Sequence, residues 1–148
     1  MKDLRNIVVA TDFSDLADHA LDEAVELAEK FGAKITLVHS YEIPVYGFPD
    51  GILVASSDVT AQIQLASQKQ LADSVARHKT SKVAITPILR MGAPWDEINS
   101  VAAESGAGLI VIGTHGRRGI SRALLGSVAE RVIRTATLPV LVVHKASP

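Results

Sequence analysis

Apolar and polar positions alternate along this chain with two different periods, and the switches between them mark out its elements. Asn6 to Ala10 (NIVVA) is a short run rich in β-branched residues, which predicts a fully buried strand. Ser14 then stands as a helix N-cap with Asp15 in the favourable first turn. Ala17, Leu21, Ala24, Leu27, Ala28 and Phe31 recur at helical spacing, and Gly32 is placed to end that helix. Lys34 to Ser40 (KITLVHS) predicts a second strand. The segment from Tyr41 to Asp58 holds two prolines, two glycines and both tyrosines, and reads as a surface loop or lid.

A helix is predicted from about Thr60 to His78, with Leu65, Ala72 and Val75 on its apolar face. Val83 to Arg90 predicts a third strand, and Pro87, which cannot donate to a ladder, assigns it to a sheet edge. Pro94 suits the first position of a helix that ends near Gly106 or Gly108. Leu109 to Ile112 is the fourth strand. Ser127 and Glu130 have the spacing of a capping box for the last helix, which stops before Pro139; Val140 to His144 is the fifth strand.

Strand and helix therefore alternate throughout, and continuous apolar strands between amphipathic helices predict an α/β fold with a parallel sheet covered on both faces. Right-handed crossovers leave few strand orders. The order 3-2-1-4-5, an open doubly wound five-stranded sheet, puts the Pro87 strand at one edge and the last strand at the other. With 148 residues, one domain spanning residues 1–148 is expected.

Composition changes this picture little but excludes several functions. Apolar residues make up 47% and charged residues 21%, which is ordinary globular usage. The formal net charge of −1 gives no global field to attract nucleic acid or an anionic membrane. The absence of cysteine rules out disulfides and thiolate zinc sites and fits a reducing cytoplasm. No apolar run approaches the roughly 20 residues of a membrane span. The start of the chain has too short an apolar core for a signal peptide. A cytoplasmic protein is the expectation.

The chemistry concentrates after the fourth strand. The stretch from Gly113 onward carries glycines at 113, 116, 119 and 126 and arginines at 117, 118 and 122 before the last helix begins. A strand-to-helix connection usually takes about 2–6 residues, so this one serves more than connection. Ligands of open α/β sheets sit at the carboxyl ends of the strands where the order reverses, here between strands 1 and 4. Ala10-Thr11-Asp12 ends strand 1 and the glycine loop leaves strand 4, so two unusual segments converge on one crevice. Gly113, Gly116 and Gly126 would permit close backbone approach and positive φ. Ser127 with the amides of Val128 and Ala129 makes a helix N-terminus suited to an anion. Arg117, Arg118 and Arg122 can neutralise phosphate charge. Neither G-x-x-x-x-G-K-[ST] nor G-x-G-x-x-G is present.

The pattern Gly113-x2-Gly116-x9-Gly126-Ser127, together with VATDFSD, VHSYE and LPVLVV, resembles the universal stress protein family over nearly the whole chain. The resemblance implies an ATP-binding dimer of the family branch that carries this glycine pattern. By position, Asp12 would face the adenosine end or a phosphate-bound Mg²⁺, and the backbone near Ser40 would read the adenine edge. Gly113, Thr114, His115 and Gly116 would wrap the ribose and inner phosphates; Gly126, Ser127 and Val128 would bind the outer ones. Ala10 stands where ATP-binding relatives often have proline, and Ser40 where an apolar residue is common.

Structural roles stand beside these functional ones. Asp12 can simply cap a turn, Ser127 a helix, and the arginines can be a solvated surface. Among the five histidines no metal-ligand spacing occurs; His39 reads as a core or rim residue, and His115 alone falls in the expected site. Trp95 reads as packing, and Tyr41 and Tyr46 as loop residues that could flank a base. A regulatory module with at most slow ATP hydrolysis is the preferred reading, since no catalytic triad or carboxylate pair stands out. An ATP-using pyrophosphatase-like or adenylyl-transferring enzyme, and a nucleotide-free dimeric scaffold, remain the alternatives. The uncharged run from Val140 to Val143 at a sheet edge, with the family resemblance, predicts a homodimer paired through Pro139 to His144.

Overall fold

The computed structural model describes residues 3–115 and 125–145. The first strand, β1 (Asn6–Ala10), is wholly buried. It leads through the Ser14 cap, whose hydroxyl accepts the Ala17 amide at 3.2 Å, into helix α1 (Asp15–Phe31). Gly32 ends α1 in the left-handed region at φ 63°, a conformation that costs glycine nothing. Strand β2 (Lys34–Tyr41) follows, then two short strands, β3 (Val45–Phe48) and β4 (Gly51–Val54). Helix α2 (Ser57–Ala76), strand β5 (Ile85–Met91), helix α3 (Pro94–Glu104) and strand β6 (Leu109–Gly113) come next. Helix α4 (Ser127–Thr135) and strand β7 (Val140–Val143) complete the order.

Five parallel strands form one sheet in the order β5-β2-β1-β6-β7, which is the expected 3-2-1-4-5. Alternating residues of the central strands feed two cores. Ile7, Val9, Ile35, Leu37 and Val111 pack with Ala20, Leu21 and Ala24 of α1 and Leu71 of α2. Val8, Ala10, Val38, Ile110 and Ile112 pack with Ile98 and Val101 of α3 and Ala129 and Val132 of α4. A strand of a parallel sheet buried on both faces needs apolar residues along most of its length, and Ile7 to Ala10 and Leu109 to Ile112 supply them. Arg131 of α4 lies over the Trp95 ring of α3 at 4.7 Å, so Trp95 is a packing residue that ties these two helices together.

Pro87 pairs with Leu37 on the edge strand β5. The Ile35 amide donates to the Ala84 carbonyl, which fixes the even-numbered residues of β5 toward β2 and turns the Pro87 nitrogen outward. The proline therefore removes no ladder bond.

Four expectations need correction. The segment after β2 is an antiparallel hairpin, with Val45 opposite Val54 and Tyr46 opposite Leu53, and not an irregular loop. Helix α2 begins three residues early, at Ser57, because Ser56 caps it by accepting the Val59 amide. Its buried residues are Ser67, Leu71 and Ser74, whereas Leu65 is 66% exposed and Ala72 also faces outward. Small hydroxyl residues let α2 lie close on the sheet, a contact that hydrophobic periodicity does not mark. Phe31, in the last turn of α1, is likewise exposed.

At the amino end of the sheet, Asn6 is buried and donates through Nδ2 to the Ser105 carbonyl at 3.0 Å. Its Oδ1 accepts the Thr36 hydroxyl at 3.2 Å. Asn6→Ala takes these partners from the buried Thr36 hydroxyl and the half-buried Ser105 carbonyl, and should lower the unfolding free energy by about 1–3 kcal/mol. A urea denaturation midpoint equal to that of the native protein would contradict this.

Candidate functional site

The strand order reverses between β1 and β6, and a crevice of about 540 Å³ opens there at the carboxyl ends of the strands. That volume falls within the roughly 300–1,000 Å³ of ordinary small-molecule sites. Three segments form most of its wall: Ala10 to Asp12 after β1, Val38 to Ser40 on β2, and Gly113 to His115 after β6. The start of α4, from Leu125 to Ala129, closes the opposite side.

The turn after β1 is tightly specified. The Thr11 amide donates to the Val38 carbonyl at 2.9 Å, its hydroxyl accepts the Phe13 amide at 3.0 Å, and Asp12 Oδ1 accepts the Ser14 amide at 3.0 Å. Phe13 adopts φ 65°, an uncommon conformation for a bulky residue, and its ring lies 4.3 Å from that of His39. His39 Nδ1 donates to the Thr11 carbonyl at 2.7 Å. These contacts pull the turn inward and present Thr11 and Asp12 along the crevice wall. The turn-capping role considered for Asp12 is thus real, and it coexists with a place in the wall. Ser40 is anchored by its hydroxyl, which donates to the Gly92 carbonyl at 2.7 Å.

Across the crevice, the Gly126 amide donates to the Thr114 carbonyl at 2.5 Å and ties the α4 entry to the end of β6. Gly126, not Ser127, is the N-cap residue of α4, and among the described residues no side chain caps this helix. The expected capping box does not form: Ser127 is already the first helical residue, and Glu130 Oε1 accepts Arg134 instead. Among the described residues the leading amides of α4 thus meet the crevice without a side-chain partner, a configuration that favours negative charge. His115 Nδ1 lies 3.1 Å from the Thr114 hydroxyl, while its Nε2 is buried with no partner among the described residues.

The glycines act differently from expectation. Neither Gly113 nor Gly126 has positive φ; Gly126 is extended at φ −62°, ψ 153°. Their role is to lack a Cβ. One added at Gly126 would stand 2.8 Å from the Thr114 carbonyl oxygen, and one at Gly113 would stand 3.1 Å from Leu16 Cγ.

Ala10, Thr11, Asp12, Ser40, Gly113, Thr114, His115, Gly126, Ser127 and Val128 all line this crevice. Gly116, Arg117, Arg118 and Arg122 lie outside the described residues. The Tyr41 to Asp58 segment does not line the crevice, so neither tyrosine borders it. Sequence reasoning passed over Pro94 and Ile98 of α3, which form part of the floor. Their apolar character signalled burial and nothing more.

Together these features define an open doubly wound α/β protein with a crevice at its switch point and the N-terminus of α4 in its wall. The model of the universal stress protein family matches residues 3–144, and the chain belongs to that family. It is 36% identical over 146 residues to universal stress protein MJ0531 of Methanocaldococcus jannaschii, covering 95% of this chain and 82% of that one. A universal stress protein solved in complex with cAMP superposes with a TM-score of 0.70 at 30% identity, covering 97% of this chain and 98% of that one. The universal stress protein from Archaeoglobus fulgidus in complex with dAMP superposes with a TM-score of 0.67 at 28% identity, covering 96% and 98%. Among the described residues no helix is long and apolar enough to cross a membrane.

Proposed function

We propose that this chain is a single-domain, cytoplasmic ATP-binding module of a stress response, holding the nucleotide in the crevice between β1 and β6. The observation that carries this reading is the α4 N-terminus beside Gly113, Thr114 and His115, which has no capping side chain among the described residues and lies in an apolar cleft, an arrangement suited to an anion. The adenine nucleotides named for two relatives support the adenosine class. The triphosphate is our extension, from the glycine spacing and the basic residues Arg117, Arg118 and Arg122.

In this reading the backbone at Ser40 meets the adenine edge, and Ala10 and Thr11 form the wall. Gly113 to Gly116 wrap the ribose and inner phosphates, with the buried His115 Nε2 close by. The amides of Gly126, Ser127 and Val128 take the outer phosphates, and Arg117 neutralises their charge. Among the described residues no group of three or more His, Asp or Glu side chains gathers, so Mg²⁺ would rest on Asp12 and on the phosphates themselves. Hydrolysis needs a placed base as well as charge neutralisation, and slow turnover at most is expected.

Calorimetry with ATP, cAMP and NAD, with and without Mg²⁺, tests this. ATP should bind with sub-millimolar affinity, more tightly than NAD, and Mg²⁺ should strengthen it. Millimolar or weaker ATP binding would refute the proposal, and tighter binding of cAMP would remove the assignment of the outer phosphates to α4. Mass spectrometry of small molecules released on denaturation separates the alternatives: ATP fits a binding module, ADP or AMP with rapid turnover an enzyme.

A further inference from the structure

Ser40 lines the crevice with a side chain whose hydrogen-bonding capacity is already half committed. Its hydroxyl donates to the Gly92 carbonyl at 2.7 Å. A serine hydroxyl has one hydrogen and two lone pairs, and a carbonyl offers no hydrogen in return. Toward a ligand, the Ser40 Oγ can therefore only accept.

Ladder parity sets the direction of the Ser40 backbone. In a parallel ladder the N–H and C=O of one residue point the same way. The Val38 carbonyl accepts the Thr11 amide, so the even-numbered residues of β2 face β1. Strand β1 stops at Ala10, opposite Val38, and the chain then turns into α1. The Ser40 amide and carbonyl thus open beyond the end of β1, into the crevice. Val38, Pro94 and Ile98 line the same crevice and offer an apolar surface to a flat ring. Strands β2 and β6 flank β1, so Ser40 lies two strand spacings, about 10 Å, to the side of the end of β6, where Thr114 holds the α4 entry. A sugar fits between an anion at α4 and a base at Ser40.

We infer that the Ser40 hydroxyl selects a base bearing an exocyclic amine, so that the crevice prefers 6-aminopurine to 6-oxopurine nucleotides. This rests on the nucleotide reading above and adds to it the side chain that discriminates. One amine hydrogen reaches the Ser40 carbonyl and the other reaches Oγ. A 6-oxopurine presents a ring N–H and an oxygen at this edge, with no second hydrogen for Oγ, and an acceptor shut away without a partner is penalised. The backbone alone imposes no such choice. Its one donor and one acceptor match the N1–H and O6 of a 6-oxopurine as well as the N1 and amine of a 6-aminopurine.

Calorimetry with ATP and ITP, which differ only at this edge of the base, tests the inference. The native protein should bind ATP about fivefold more tightly than ITP, the worth of one hydrogen bond. Ser40→Ala should weaken ATP by about that factor and leave ITP within about twofold of its native affinity. Ser40→Thr keeps the hydroxyl and should keep the native ratio. Equal native affinities for ATP and ITP would overturn the inference while leaving the nucleotide reading in place. A Ser40→Ala loss shared equally by both nucleotides would overturn it too, since the hydroxyl would then serve only to anchor Gly92. So would a Ser40→Thr ratio equal to that of Ser40→Ala. A native protein that binds neither nucleotide would overturn the crevice reading itself, and this inference with it.

Discussion

Gly126→Val should weaken nucleotide binding at least tenfold, a loss of about 1.4 kcal/mol or more. The cause is a backbone collision. A Cβ at this position meets the Thr114 carbonyl oxygen at 2.8 Å and His115 Cα at 3.3 Å, and no side-chain rotation relieves it, because the backbone fixes the Cβ and both atoms it meets. The entry to α4 must move away from the end of β6, breaking the Gly126 to Thr114 hydrogen bond and shifting the leading amides of the helix. Overpacking of this kind costs about 1–3 kcal/mol of stability. Backbone torsion contributes nothing, since Gly126 already has a φ open to any residue. Calorimetry and urea denaturation on the same preparation separate the two effects. A folded variant with native affinity would show that the α4 N-terminus is not the phosphate site.

The second large effect is expected at the other edge of the sheet. The Thr114 amide donates to the Val143 carbonyl and the Ile110 amide to the Pro139 carbonyl. In a parallel ladder the N–H and C=O of one residue point the same way, so residues 139, 141 and 143 face β6 and Val140 and Val142 face outward. Val142→Pro therefore deletes a donor that the β6–β7 ladder does not use. We propose β7 as the strand that pairs with its copy in a homodimer, and this substitution should then cut that interface while leaving the fold intact. Light scattering is expected to show a smaller assembly, and circular dichroism an unchanged spectrum. Leu141→Pro is the contrasting case, since it deletes an inward donor and should unfold the edge itself. An assembly unaltered by Val142→Pro would exclude β7 pairing.

Much of the fold was legible because its signals are local. Ser14 and Gly32 bound α1 through caps that use only neighbouring atoms, and IVVA and LIVI declare burial on both faces by having no polar position. The switch point followed from strand order, and strand order from handedness. The misreadings have a common source. Leu65 and Phe31 looked like core residues by periodicity but are exposed, while Ser67 and Ser74 are buried because α2 lies close on the sheet. The hairpin was hidden by its prolines and glycines, which signal turns whether or not strands lie between them.

By itself, then, the sequence determined the alternation of elements, the open parallel sheet, the edge placement of Pro87 and the residues that converge at the crevice. Local capping, apolar periodicity and the handedness of crossovers suffice for those. Only the tertiary structure decided that Gly126 caps α4 in place of Ser127, and that Gly113 and Gly126 are needed for clearance and not for positive φ. It alone brought His39 against Thr11, and turned Val142 outward. Each of these depends on which backbone atom of a distant segment stands within a few ångströms, a quantity that no local pattern encodes.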